Sequence, residues 1–71
     1  MTAPTLAAVQ VTVLEHLADT WEQFARYNDA LAEAHEREGR DGSASKAYGV
    51  SVGYRDAAKA LRNVLAAEVA K

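Results

Sequence analysis

Cysteine is absent from this 71-residue chain, and that absence removes two common ways of holding a short chain together. Neither a disulfide nor a thiolate zinc site can form. A chain of this length buries only about 60% of the surface its unfolded state exposes, so a core of its own is marginal. With those staples excluded, oligomerisation is the expected source of further stability. The lack of cysteine also fits a reducing compartment. Long apolar runs are missing too: the longest charge-free stretch, Met1 to Leu14, falls short of the ~20 residues a membrane span needs. The opening residues Met1 to Thr5 carry no Lys or Arg ahead of the apolar stretch, so no secretory signal is expected. These absences predict a cytoplasmic protein with no membrane contact.

Proline occurs once, at Pro4, placed for the first turn of a helix capped by Thr2 or for the residue before a Thr5 cap. The strongest punctuation is Gly39-Arg40-Asp41-Gly42-Ser43, where Gly39 suits the left-handed residue past a helix end. Asp41 or Ser43 suits an N-cap. The pattern predicts an all-α fold in one domain over residues 1–71. It is an antiparallel helical hairpin: helix 1 over about 5–38, a turn at 39–43 and helix 2 over about 44–69. Val9 to Val13 alternates like a strand, but no second strand exists to pair with it, so helix is expected there. Gly49 and Gly53 each weaken helix 2 by about 1 kcal/mol relative to Ala, which predicts a late start or a bend near Gly53.

What is present is sorted by seven-residue spacing, since residues seven apart lie nearly above one another on a helix. On helix 1, Leu17, Phe24 and Leu31 form one lane. It is flanked by Val13, Thr20, Tyr27 and by Leu14, Trp21, Asn28, His35. A lane of Ala18, Ala25 and Ala32 runs beside the latter. The acids Glu15, Asp19, Glu22, Asp29, Glu33 and Glu36 occupy the far side. Helix 2 carries its own small lane, Gly53, Ala60 and Ala67, beside Ala47, Tyr54, Leu61. Small side chains allow closer helix approach than the usual 8–10 Å. Ala32 with Gly53, Ala25 with Ala60 and Ala18 with Ala67 each sum to 85, a register centred in the Gly39–Ser43 turn. This matching predicts the hairpin interface. It also sets Leu31 against Tyr54 and Phe24 against Leu61.

The apolar arc of helix 1 covers about four lanes of seven, where a surface helix uses about three. One partner helix cannot cover it. Leu14, Trp21, Phe24 and Tyr27 are therefore the expected oligomer or partner interface, filled by a second copy in a four-helix bundle or by a different protein.

Net charge is only −2, but it is unevenly spread. Residues 1–38 hold seven acids against Arg26 and Arg37, a balance of −5 (2 − 7), and residues 43–71 hold five bases against Asp56 and Glu68, or +3 (5 − 2). Arg55, Lys59 and Arg62 share one stripe of helix 2, which makes a nucleic-acid-associated dimer the alternative function. Overall acidity and the lack of a third helix argue against a helix-turn-helix.

Catalytic patterns are wanting. His16 with Asp19 and His35 with Glu38 have i, i+3 spacing, but neither a zincin nor a di-iron motif is present, and no phosphate loop occurs. The expectation is a protein with no catalytic residues, no metal and no cofactor. It acts as a non-enzymatic protein–protein interaction module, a small self-associating regulator or accessory factor. Richness in Ala, Val and Arg suits a bacterial or phage genome of high GC content.

Overall fold

The computed structural model describes residues 6–69, and the expected cap around Pro4 lies outside them. Two helices account for almost all of the described chain: α1 (Leu6–Arg37) and α2 (Asp41–Val69), packed side by side as a hairpin. The alternating segment from Val9 to Val13 is helical. Its β-branched residues carry a weak local preference, which a continuous 32-residue helix overrides.

The turn is tighter than the sequence suggests. Gly39 takes φ +76°, its N–H donates to the Glu36 carbonyl at 3.0 Å, and Arg40 N–H donates to the His35 carbonyl at 2.8 Å. This is a Schellman closure, with the glycine in the left-handed conformation that a side chain would disfavour. The Arg40 carbonyl then accepts from Ala44 N–H at 2.9 Å, so α2 begins at Asp41 rather than near residue 44. Arg40 holds the capping position expected of Asp41 or Ser43. Asp41 instead sits in the first turn, where its carboxylate faces the positive end of the helix dipole.

α2 also runs unbroken through Gly49 and Gly53. A Cβ built on Gly49 would meet no atom within 4 Å. Gly49→Ala is therefore expected to raise stability by up to about 1 kcal/mol. Thermal unfolding of the variant checks this, and a lowered midpoint would show that the helix backbone is approached there.

The hairpin is long and thin, 57 × 21 × 12 Å, with a Cα radius of gyration of 16.5 Å. A compact domain of this length would have about 11 Å. One layer of helices gives each helix a single neighbour, and the core reflects it. The fully buried residues are Ala18, Ala25, Ala32, Ala58 and Ser51; Ala44, Ala47 and Leu65 follow at 2–6% exposure. Leu65 is the only large apolar side chain buried among the described residues.

The lane that α2 turns toward α1 is Ala44, Ser51, Ala58 and Leu65, again spaced by seven. Gly53, Ala60 and Ala67 are exposed, which corrects the expected hairpin interface on that helix. The register differs as well. Phe24 packs edge-on against Tyr54, with ring centroids 5.3 Å apart, where Leu61 was expected. Pairs joined across the hairpin have position sums between 78 and 84, about 81 in the middle. Matching the two smallest lanes considered only how closely helices can approach. Cross-helix ion pairs and the Phe24–Tyr54 contact rotate α2 to a different lane.

Candidate functional site

Rotating outward from the buried lanes, the two broad faces of the hairpin have opposite chemistry. The first face is built by residues four positions on from the buried alanines of α1, which are Glu22, Asp29 and Glu36. α2 presents Tyr48, Arg55 and Arg62 there. Arg62 forks onto Asp19 and Glu22, and Arg55 binds Asp29 at 2.7 Å. Ser51, fully buried, donates its hydroxyl to the other Asp29 oxygen. Arg55 also reaches the Ser51 oxygen at 3.3 Å, so that buried hydroxyl is satisfied by the network.

The Ser51 hydroxyl first, and the Arg55 guanidinium next, hold the Asp29 carboxyl below its ordinary value. Toward the turn, desolvation and the charges of Glu36 and Glu33 push the Tyr48 phenol up. A carboxyl depressed in the folded state contributes stability above its unfolded pKa, and that contribution fades as pH falls through the folded value. Stability should therefore decline on acidification below about pH 4, the ordinary carboxylate range. Asp29→Asn should flatten that decline, as measured by denaturant unfolding across pH. An unchanged acid slope would show that Asp29 titrates alike in both states.

The second face is almost free of charge. α1 presents Leu14, Leu17, Trp21, Phe24 and Leu31, and α2 presents Val50, Tyr54, Ala57, Leu61 and Val64. Phe24 is 46% exposed, Val50 42% and Val64 60%. Shallow grooves run along it: one lined by Trp21, Val50, Gly53, Tyr54 and Ala57, another by Phe24, Tyr27, Asn28 and Tyr54. Polar groups here are partly spent within their own helix. Thr20 donates to the His16 carbonyl at 3.0 Å and Asn28 to the Phe24 carbonyl at 2.8 Å. Covering them therefore costs less than their residue types suggest.

The expected interface residues thus fall together on this face: Leu14 and Phe24 are exposed, Trp21 is half-buried, and Tyr27, 67% exposed, lies at its outer edge. The expected basic stripe does not stand as a set. Arg55 and Arg62 are turned onto the acids of α1, and only Lys59 of the three makes no ion pair among the described residues. His16 is exposed and His35 half-buried near the turn. Among the described residues no three His, Asp or Glu side chains are grouped to hold a metal.

Sequence reasoning missed the Asp29–Ser51–Arg55 network. A signal existed for it: Glu22 and Asp29 are seven apart, as are Arg62 and Arg55, and both cross-helix pairs sum to 84. Matching charges instead of small residues would have oriented α2 correctly.

Fold and surface together define a two-helix hairpin with one ion-paired face and one apolar face, and no described helix is long and apolar enough to cross a membrane. No protein-family model, no curated protein and no solved structure matches the chain.

Proposed function

We propose that this chain is a non-enzymatic protein–protein interaction module that works by self-association, two hairpins closing their apolar faces into a four-helix bundle, in the service of a small regulatory or accessory role. One observation carries the reading. The hairpin core is made of alanine, one serine and one leucine, while Phe24, Leu17, Leu31, Val50 and Val64 stand at least 37% exposed on a single face. Fully burying a large apolar side chain contributes about 1.5–3 kcal/mol, so a marginal chain that leaves this face wet forgoes most of its available stabilisation. Two such faces brought together would supply the core that one layer lacks.

The basic-stripe alternative is weaker on this geometry. Arginines held by Asp19, Glu22 and Asp29 must first break those pairs to reach a phosphate backbone.

Thermal unfolding at several protein concentrations tests the proposal. If folding and association are coupled, the midpoint should rise by roughly 3–6 °C for each tenfold increase in concentration. A midpoint independent of concentration would refute self-association.

A further inference from the structure

We infer that the two copies pack with their turns at the same end, so that the aromatic ridge of each α1 fills a hollow over the partner's α2. This rests on the self-association proposed above and adds its geometry. The alternative puts the turns at opposite ends, with α1 on the partner's α1 and α2 on the partner's α2.

The apolar face is large enough to carry such a contact. The 29 residues of α2 span about 44 Å and the hairpin is 21 Å across, so the face offers roughly 900 Å² to a second copy. A standard interface buries about 800 Å² per partner.

The two helices give that face an uneven relief. In the lane standing straight out of it, α1 carries Leu17, Phe24 and Leu31 where α2 carries Val50, Ala57 and Val64. The contrast is greatest at mid-height. The positions of Phe24 and Ala57 sum to 81 and those of Tyr27 and Gly53 to 80, both within the register that joins the helices. Two exposed aromatics of α1 therefore stand level with two of the smallest residues of α2. Val50, Gly53, Tyr54 and Ala57 line the hollow with Trp21, about 370 Å³ in volume. A Cβ built on Gly53 would meet no atom within 4 Å, so nothing in the single hairpin fills the space.

A two-fold axis parallel to the helices keeps every residue at its own height and sets α1 against the partner's α2. Each Phe24 then comes over the partner's Ala57 and each Tyr27 beside the partner's Gly53, so ridge enters hollow twice. Large residues facing small ones let the two layers interdigitate at a single helix spacing. An axis crossing the helices matches like with like instead. It sets the ridge of leucine and phenylalanine against its own copy, and leaves Ala57 and Gly53 facing only valine, alanine and glycine. Such an interface is held apart on one side and gapes on the other, short of the packing density of a core.

The cysteine-free chain makes disulfide trapping clean. Leu31→Cys and Val50→Cys are placed at exposed positions, so folding should tolerate both. With turns at the same end, position 31 of one copy faces position 50 of the other, since these also sum to 81. Turns at opposite ends put the two on helices that do not face each other. For an axis at mid-height they are also about 21 Å apart along the bundle, and a disulfide needs Cα atoms within about 7 Å. Mixing the two variants under mild oxidation should give the mixed disulfide in high yield, and either alone should give little. Val50→Cys mixed with Val64→Cys, the pair that opposite ends would bring together, should also give little. As a second readout, Gly53→Leu should keep the helical content of the hairpin and, by filling the hollow, weaken association roughly tenfold or more. A dimer by sedimentation that forms no disulfide between positions 31 and 50, or that Gly53→Leu leaves intact or tightens, would overturn this orientation and leave self-association standing. A monomer by sedimentation would overturn both.

Discussion

Ala25→Leu should destabilise the protein by about 1–3 kcal/mol, enough to leave much of a marginal chain unfolded. Ala25 is wholly buried in the lane that α1 turns toward α2. Leucine adds three carbons where the facing lane offers only Ala44, Ser51, Ala58 and Leu65, and the helices must separate to admit it. Separation would also stretch the Arg55–Asp29 and Arg62–Glu22 pairs and strip the buried Ser51 hydroxyl of its partner, so the cost is not confined to packing. Ala58→Leu should behave likewise. Ala60→Leu, two residues on and exposed, should stay within about half a kcal/mol of the parent. Urea unfolding of the three variants separates the lanes. If Ala60→Leu proved the damaging one and Ala58→Leu silent, the rotation of α2 described above would be wrong.

That contrast also shows what was legible in the sequence. Two helices and a turn at Gly39 follow from punctuation and spacing, and so does the inward lane Ala18, Ala25, Ala32 of α1, because one acidic side and one small-residue lane leave that helix few orientations. α2 offers two lanes of small residues spaced by seven, Gly53-Ala60-Ala67 and Ala44-Ser51-Ala58. Size does not choose between them. Serine looks polar, yet Ser51 is buried because Asp29 and Arg55 satisfy it, a relation that exists only across the hairpin. The turn was read three residues too long at its far side, since Asp41 and Ser43 both resemble caps while the Schellman closure at Gly39 lets α2 start at once. The apolar face itself was visible, because its lane of Leu17, Phe24 and Leu31 depends on one helix alone.

Phe24→Asp should weaken self-association about a hundredfold or more. Phe24 keeps 46% of its surface exposed in the single hairpin, and each dimer would bury two copies. Recovering half of a phenylalanine's burial contributes about 1–1.5 kcal/mol per copy, and two copies correspond to roughly thirty- to a hundred-and-fiftyfold in affinity. A carboxylate set into that contact adds a desolvation cost on top. Because the substitution also removes the Phe24–Tyr54 ring contact within the hairpin, Val64→Asp is the companion variant. Val64 is 60% exposed and should lower association with less effect on the hairpin itself. Association constants from dilution series, alongside helical content by circular dichroism, distinguish the two effects. Variants that dimerise as tightly as the parent would place the interface elsewhere, with the start of α1 the next region to examine.

Sedimentation equilibrium of the unaltered chain at micromolar concentration bears most directly on self-association. A mass near twice the 7.6 kDa of one chain, dissociating on dilution with loss of helical signal, is the expected result. A single 7.6 kDa species that stays helical and melts cooperatively at every concentration would contradict it.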